Sequence, residues 1–283
     1  MGLLTNLSRS KYVSSTDPGN EPALAELQRR MRTFYATSPY HSDWIKGHNA
    51  HWTRGQHDAQ LDMCGHVSPK ARLLEVGCGD GCAERELRRR VPDLNYTGVD
   101  FRPELWAGRP HFVAADARRL PFRSGCMDVV VAMFVLEHLV YPSMFLDEAW
   151  RVLSRNGRLL LISPDFASGP MASEWIGTSY GCGQDKLKRG RWGDALLTAF
   201  DTRLRTSAVR FARARELTRG KTRFPVLLHP RCLYYAGFVP DCDAVYPSCS
   251  EEVVHHLQLK PEYHDSVVFH RRVGTFGLAV FKA

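Results

Sequence analysis

Short runs of apolar residues alternate with amphipathic stretches in the first half of the chain. Five runs read as buried strands, at residues 73–76, 96–100, 112–116, 127–133 and 158–162. Apolar positions recur at helical spacing between some of these runs, as in residues 82–90 and 145–153. Continuous apolar strands that alternate with helices are typical of a parallel sheet covered on both faces. The pattern therefore predicts an α/β fold.

The pattern changes on both sides of this region. Residues 1–20 are polar, and Asn20 is a predicted cap for a helix with apolar residues at helical spacing. The strand–helix alternation stops after Pro164 until about Phe224, and two late apolar runs predict a final hairpin. We therefore predict four segments: an N-terminal helical lid (1–70), a core (71–164), an inserted basic cover (165–224) and a C-terminal completion of the core sheet (225–283).

The net charge is concentrated in one segment. The 283 residues include 38 Lys and Arg and 30 Asp and Glu, a net charge of +8. Residues 185–223 hold 12 of the basic and four of the acidic side chains, which accounts for the whole excess. A basic balance can indicate nucleic acid as a partner, but the rest of this chain is neutral. We therefore treat the charge as a property of the insertion.

Other compositional features exclude several classes of protein. No apolar run reaches the ~20 residues of a membrane span, and the N-terminal residues lack the apolar core of a signal peptide. The eight cysteines form no Cys-x-x-Cys pair. We expect a cytoplasmic protein with reduced thiols and no metal site.

Three glycines follow the first predicted strand. Gly77, Gly79 and Gly81 allow a tight turn and close approach of a ligand, and the next helix directs free N–H groups to the same place. A dinucleotide-binding turn would need glycine at the position of Cys82, and a phosphate-binding loop would need Lys followed by Ser or Thr. These differences weaken a dinucleotide assignment and argue against phosphoryl transfer.

Two aspartates end the next two predicted strands. Asp100 can accept hydrogen bonds from both hydroxyls of a ribose. Asp116 would lie at the same edge of the sheet, where it can accept from an exocyclic amine such as that of adenine. Phe101 can pack on the base. The ligand that these residues indicate is an adenosine derivative without a demanding phosphate site.

Several ordered blocks resemble class I S-adenosylmethionine-dependent methyltransferases, in particular the quinone and natural-product type. Glu75-Val76-Gly77-Cys78-Gly79-Asp80-Gly81 resembles the E-x-G-x-G-x-G signature of the family. The resemblance continues through Asp100 and four further blocks, at residues 116–122, 127–130, 135–139 and 157–161. Together the blocks span about a third of the chain, in the order that the family has.

The resemblance implies a Rossmann-like, doubly wound sheet of seven strands with an antiparallel last strand. It also implies S-adenosyl-L-methionine as cofactor. Gly77 and Gly79 would contact its methionine part, Asp100 its ribose, and Asp116 with Ala117 its adenine. Glu75 would hold its amino group or shape the loop. The predicted cofactor-binding residues share positions at strand ends and in the turns after them: Glu75, Gly77, Cys78, Gly79, Asp100, Phe101, Asp116, Ala117 and Phe134.

A hydroxyl acceptor needs a general base, whereas an unprotonated amine does not. We predict His138 as this base, because histidine titrates near neutral pH and this one follows the fourth strand. The alternative is a structural role, since the Leu-Glu-His-Leu block also occurs in relatives with different chemistry. Other candidates for the base are Glu137, Asp165, His264 and Asp265, the last two in a late loop. Four N-terminal aromatic residues line a substrate pocket or pack in a core: Tyr35, Tyr40, Trp44 and Trp52.

The basic segment contains a predicted helix from Arg203 to Leu217 whose apolar side holds Leu204, Ala208, Phe211 and Ala212. Such a helix can contact an anionic membrane, bind an acidic substrate, grip RNA phosphates or simply be a solvated surface. Because the apolar side is small, we expect only weak membrane contact.

We predict a methyltransferase that acts on an O or N atom of a small organic acceptor, and an acidic molecule is one candidate for it. The alternatives are a quinone or lipid-like acceptor that docks through the basic insertion, and a protein that binds or modifies RNA. A nucleic-acid partner is not expected, and the sequence does not indicate the oligomeric state.

Overall fold

The structure, a computed structural model, describes residues 12–38, 63–103, 109–164, 183–234, 242–258, 264–269 and 276–282. Nine strands occur in these residues: β1 (Tyr12–Ser14), β2 (Arg72–Val76), β3 (Asn95–Asp100), β4 (Phe112–Ala114), β5 (Met127–Met133), β6 (Leu153–Pro164), β7 (Pro225–Leu227), β8 (His264–Phe269) and β9 (Phe276–Lys282). Six α-helices occur in the same residues: α1 (Glu21–Thr37), α2 (Cys82–Arg90), α3 (Pro142–Val152), α4 (Gly183–Lys188), α5 (Trp192–Leu217) and α6 (Ser250–His256).

Contacts divide the chain into two compact units. The helical unit takes its described residues from three stretches, 1–37, 137–140 and 165–256. The sheet unit takes its described residues from the stretches 38–136, 141–164 and 257–283. The chain therefore leaves the sheet unit after Leu136 and returns to it at Tyr141.

The sheet unit is built on a largely parallel sheet. Seven strands of the described residues lie in the order β4-β3-β2-β5-β6-β9-β8. Strands β2 to β6 pair in parallel, and β9 runs antiparallel to both β6 and β8. Parallel strands need helical crossovers, which is why α2 and α3 intervene between strands in the sequence. The prediction of a Rossmann-like α/β fold is confirmed.

The core of the sheet unit forms on both faces of the central strands. Leu73 and Leu74 are fully buried on opposite faces of β2, as expected for a strand covered on both sides. Helix α2 packs Leu87 into this core. The Asp80 side chain accepts the Cys82 N–H at 3.1 Å at the start of α2. This packing fixes the strand end and the helix start that flank the glycine turn.

A polar clamp joins β2 and β5 at the opposite end of these strands from the glycine turn. The Arg72 guanidinium donates to both oxygens of Asp128, with Nε–Oδ2 at 2.9 Å and Nη2–Oδ1 at 2.6 Å. The Arg72 N–H and the Ser154 hydroxyl also donate to this carboxylate. The hydrogen bonds from Arg72 hold the pKa of Asp128 at about 2. Asp128 thus serves the sheet and not the glycine turn.

The helical unit contains a two-stranded ladder that the sequence pattern did not predict. Strands β1 and β7 pair antiparallel, with Val13 opposite Val226. The Asn20 amide donates to the Ser14 carbonyl at 3.0 Å, so it links β1 to the start of α1. Residues 225–227 therefore pair outside the core sheet, although segment 225–283 was expected to complete it. Only residues from 257 onward belong to the sheet unit.

A buried ion pair fastens α5 to α6 within the helical unit. The Arg213 Nε lies 2.9 Å from Glu252 Oε2, and both side chains are almost completely buried. Glu252 also accepts from the Tyr246 hydroxyl at 3.0 Å and from the Phe224 N–H at 3.0 Å. The Arg213 Nη2 donates to the Pro247 carbonyl. One of the twelve cations in the basic segment is therefore structural.

Several predicted element bounds differ from the structure. Helix α5 begins at Trp192, 11 residues before the predicted start at Arg203. His264 and Asp265 lie in strand β8 and not in a loop. Residues Arg231–Leu233 form a 3-10 turn.

We predict that Arg213→Met lowers the free energy of unfolding by about 3 kcal/mol, because it leaves the Glu252 carboxylate buried without its cation. Arg215→Met is the matched control, since Arg215 lies two residues further on α5 and is exposed. Urea unfolding followed by circular dichroism measures both variants. Equal decreases in the free energy of unfolding in the two variants would contradict the structural role of Arg213. The double variant Arg213→Met with Glu252→Leu should recover part of the decrease.

Candidate functional site

The turn after β2 requires glycine for conformation and for space. Gly77, Gly79 and Gly81 have φ values of 73°, 52° and 73°, in the left-handed region that L side chains rarely adopt. A Cβ on Gly77 would lie 2.3 Å from Cγ2 of Val135. The Gly77 N–H donates to the Val99 carbonyl at 2.7 Å, which draws the turn against β3. The spacing of the glycines thus follows from the shape of the turn.

The Asp100 carboxylate holds this turn from the end of β3. Its Oδ2 accepts the Gly79 N–H at 3.1 Å, and its Oδ1 accepts the Arg102 N–H at 3.1 Å. Burial raises the pKa of Asp100, and the two backbone N–H groups oppose that shift. Each carboxylate oxygen has a second lone pair, so the group can also accept from a vicinal diol. Asp100 is thereby oriented by the backbone and retains acceptor capacity.

Glu75 is a buried carboxyl group directly before the turn. It accepts a hydrogen bond from the Tyr96 hydroxyl. Burial is the largest cause that raises its pKa to about 8, against the Tyr96 hydrogen bond, which lowers it. The neighbouring carboxylates of Glu84, Asp100 and Asp80 raise it further. Glu75 is therefore largely protonated at neutral pH. Its ionisation beside an approaching cation costs little free energy.

The packing around Glu75 is tight. A Cβ on Gly98, which lies opposite Glu75 in β3, would be 2.8 Å from Cys78 Sγ and 3.1 Å from the Tyr96 hydroxyl oxygen. Burial, together with the nearby carboxylates, raises the pKa of the Cys78 thiol far above its ordinary value. Cys78 is thus a neutral packing group beside the turn.

The charge of this region suits the expected cofactor. S-adenosylmethionine carries a sulfonium and an ammonium group, and Glu75, Asp80, Glu84 and Asp100 place acidic groups around the turn. Asp80, Glu84 and Asp100 would repel the pyrophosphate of a dinucleotide. The Asp100 carboxylate can accept hydrogen bonds from free ribose hydroxyls. The glycine turn, which has no space for larger side chains, also matches a nucleoside ligand. The residues present therefore fit this cofactor.

Asp116 is already engaged by a neighbouring side chain. The Arg118 N–H and Nε donate to Oδ1 at 2.9 and 3.1 Å, while Nε and Nη2 donate to Oδ2 at 3.1 and 2.8 Å. The Arg118 guanidinium also lies 5.0 Å from the Tyr141 ring centroid. A hydrogen bond from an adenine amine to Asp116 would have to compete with Arg118. The role of Asp116 in adenine binding stays a prediction.

The remaining predicted cofactor residues lie in the sheet unit as well. Phe101 is 39% exposed. Ala117 is partly buried. Phe134 has a φ of 55° and donates its N–H to the Ile162 carbonyl at 2.7 Å, at the ends of β5 and β6. Their contacts with a cofactor stay predictions.

His138, the predicted base, belongs to the helical unit and lies beside a carboxylate that sequence reasoning missed. Its Nδ1 is 3.4 Å from Asp243 Oδ2, and its Nε2 is 3.8 Å from Glu137 Oε1. Both carboxylates are almost completely buried. The Tyr35 ring meets the imidazole edge to face, with centroids 6.4 Å apart. No sequence motif marks Asp243, because the cluster joins residues from distant parts of the chain.

Tyr35 contributes a further polar group to this cluster. Burial raises the pKa of its hydroxyl, and the Asp243 carboxylate raises it further. Tyr35 is thus neutral across the physiological range. The other predicted lid residues, Tyr40, Trp44 and Trp52, and the candidate base Asp165 lie outside the described residues.

Comparisons with known proteins agree with the resemblance in the sequence. A family profile described as a methyltransferase domain matches residues 74–161, which include all nine predicted cofactor residues and His138. The chain is 28% identical over 163 residues to 2-methyl-6-phytyl-1,4-hydroquinone methyltransferase of Arabidopsis thaliana, covering 55% of this chain and 48% of that protein. It is 35% identical over 113 residues to demethylmenaquinone methyltransferase of Deinococcus radiodurans, covering 36% and 46%. The chain spans about half the length of these relatives.

One solved structure aligns along most of the chain. It is the 1,6-didemethyltoxoflavin-N1-methyltransferase of Burkholderia thailandensis, solved with 1,6-didemethyltoxoflavin and S-adenosylhomocysteine. The TM-score is 0.51 over 91% of this chain and 89% of that chain, at 14% identity. At this identity the likeness concerns the fold alone.

The raised pKa of Glu75 predicts a pH-dependent stability. The folded state holds this proton more tightly than the unfolded state, whose value is 4.5. The free energy of unfolding should therefore fall as the pH rises from about 4.5 to about 8, by at most about 1.4 kcal/mol per pH unit. Glu75→Gln should remove this slope in urea unfolding between pH 5 and 9.

Glu148→Gln is the control for this measurement. The Arg151 hydrogen bond lowers the pKa of Glu148, so its contribution changes only at acidic pH. The variant should keep the slope between pH 5 and 9. A slope of equal size in the wild type and in Glu75→Gln would contradict the raised pKa of Glu75.

Proposed function

We propose that this chain, whose residues 74–161 match a methyltransferase-domain profile, transfers a methyl group from S-adenosylmethionine to an O or N atom of a small organic acceptor. The observation that carries the proposal is the glycine turn, which Asp100 holds beside the buried carboxyl group of Glu75 and the partly buried ones of Asp80 and Glu84. This arrangement suits a cationic nucleoside and disfavours a phosphorylated one. When bound, the cofactor supplies a methyl group on a sulfonium and leaves as a neutral thioether.

We propose that the residues at the ends of β2 and β3 bind and orient the cofactor. Asp100 would accept from the ribose hydroxyls while its backbone donors keep it in place. The Gly77 turn would allow close approach of the methionine part. Glu75 would ionise beside the ammonium group, because a nearby cation offsets the desolvation that now keeps the carboxyl neutral. Cofactor binding would then release a proton at neutral pH.

His138 is the proposed general base for a hydroxyl acceptor. The imidazole would take the hydroxyl proton as the oxygen attacks the methyl group. The buried Asp243 carboxylate, 3.4 Å from Nδ1, supports this role because it stabilises the imidazolium that forms. Asp243 would act as a positioning residue through His138.

The acceptor has a second candidate. The relatives from Arabidopsis thaliana and Deinococcus radiodurans are named for a phytyl hydroquinone and demethylmenaquinone. A quinone or lipid-like acceptor is therefore proposed as the alternative to a polar metabolite. Incubation with methyl-labelled cofactor and separate lipid and aqueous extract fractions distinguishes the two by the fraction that gains label.

The finer architecture stays part of the proposal. Segment 1–70 would act as a lid and segment 165–224 as a substrate cover, as such segments do in the family. The seven described strands, with β9 antiparallel, would constitute the full sheet of this fold.

We predict that Asp100→Asn weakens S-adenosylmethionine binding by about tenfold to a hundredfold, because one hydrogen bond to a charged acceptor is lost. Isothermal titration calorimetry measures the affinity. Asp128→Asn is the matched control, since it removes an aspartate from the opposite strand end, and it should lower stability without changing affinity. No binding by the wild type, or equal affinities in wild type and Asp100→Asn, would contradict the cofactor site.

His138→Gln should lower the rate of transfer to a hydroxyl acceptor by about a hundredfold or more while cofactor affinity stays unchanged. The dependence of the transfer rate on pH should also lose its change near neutral pH. Replacing a purely structural histidine would not remove that change. His111→Gln, on an exposed histidine, is the control. An unchanged rate and profile in His138→Gln would rule out the base.

A further inference from the structure

The first half of helix α5 presents a row of exposed apolar side chains. Trp192, Leu196 and Phe200 are 68%, 72% and 65% exposed. Their spacing of four residues places them along one side of the helix. Phe211, three turns further on, continues the row and is 73% exposed. These four residues are called the apolar stripe below.

Another side of α5 is packed. Ala195 and Arg213 are buried, and their spacing places both on one side of the helix, about a third of a turn around from the middle of the apolar stripe. The Arg213 ion pair with Glu252 fastens this side to α6. Helix α5 is therefore held by one side while the apolar stripe is turned to solvent.

Cations surround the apolar stripe. Lys188 and Arg189 precede it, and Arg215 and Lys221 follow it, all four with exposed side chains. Two acidic side chains near it are paired, since Arg191 contacts Asp194 and Arg219 contacts Glu216. The segment keeps its excess of positive charge. Exposed Trp, Phe and Leu flanked by Lys and Arg are the combination that interfacial helices use on anionic lipid.

We propose that α4 and α5 dock on an anionic phospholipid surface, with the apolar stripe inserted at the level of the headgroups and the flanking cations on the lipid phosphates. No helix among the described residues is long and apolar enough to cross a bilayer. This docking extends the weak membrane contact expected from the sequence, because the predicted helix omitted Trp192, Leu196 and Phe200. The proposal goes beyond methyl transfer and does not depend on it.

Two other occupants fit the surface less well. A second copy of the chain would bring two strongly basic segments face to face, which costs affinity. RNA would match the cations, but an exposed aliphatic and aromatic row along a helix contributes little to phosphate binding. A lipid surface uses both features at once.

Vesicle flotation tests the proposal with the full chain and no cofactor or acceptor, so it can fail independently of the proposed function. The probes are vesicles of phosphatidylcholine alone and of equal parts phosphatidylcholine and phosphatidylglycerol. The wild type should float with the anionic vesicles, and added salt should weaken binding. Trp192→Ser with Phe200→Ser should lower the partition coefficient by about tenfold or more, because apolar area no longer leaves water.

Matched control variants distinguish the loss of the proposed docking surface from a general effect of substitution on vesicle binding. Met144→Ser removes an exposed apolar side chain from α3 and should leave partitioning unchanged. Arg189→Gln should lower binding to anionic vesicles about fivefold, which corresponds to one lipid-bound cation. Arg155→Gln, on an exposed arginine of β6, should have no effect.

Three results would overturn the proposal. One is the absence of binding to either kind of vesicle. Another is an equal decrease in vesicle binding in the apolar-stripe variant and in Met144→Ser. The third is a concentration-dependent dimer, or an RNA complex, that the Trp192 and Phe200 substitutions abolish while vesicles are not bound. Analytical ultracentrifugation and a salt titration with RNA provide these measurements.

Discussion

Two successive turns of the sheet unit are tied to the carboxylate of Asp100. The Gly79 N–H from the turn after β2 and the Arg102 N–H from the turn after β3 both donate to it. Because β2 and β3 are parallel neighbours, these turns meet at the same edge of the sheet. The approach to the glycines, the start of α2 and the acidic character of the site all depend on this link.

The two units each contain a buried glutamate, and the surroundings of the two carboxyl groups differ. Glu75 is held neutral by burial, with the Tyr96 hydroxyl as its hydrogen-bond donor. Glu252 is matched by Arg213 and three further donors, so its charge is balanced inside the helical unit. The first group can change its protonation when a cation binds, whereas the second supports packing. Burial alone therefore does not determine whether a carboxyl group is held neutral or is paired with a cation.

The central strands and α2 could be predicted from the sequence, because apolar runs and helical spacing are local signals. The bounds of β5 at 127–133 and of α2 at 82–90 agree with the predicted ones. The pairing of β1 with β7 could not be predicted, since Tyr12–Ser14 is a short run in a polar segment and its partner is more than two hundred residues away. The start of α5 was wrong because its exposed Trp and Phe do not form a buried apolar side.

The candidate site likewise contains some residues that could be predicted from the sequence and others that could not. The residues from Glu75 to Asp100 follow one strand–turn–helix–strand unit, so a motif marks them. Asp243 beside His138 and Arg118 on Asp116 arise from side-chain placement, which no motif records. The charge of segment 185–223 was visible in the sequence, but only the structure separates the internal Arg213 from exposed cations.

The division of the chain between the units has a consequence for its synthesis. Strand β9 pairs along β6, yet all of segment 165–256 is made between these two strands. During translation the backbone N–H and C=O groups along that side of β6 remain without their final partner until β9 emerges. An open β edge invites pairing with another chain. The nascent protein therefore carries its greatest risk of aggregation after β6 is complete, and chaperones that shield strand edges would be needed most in that interval.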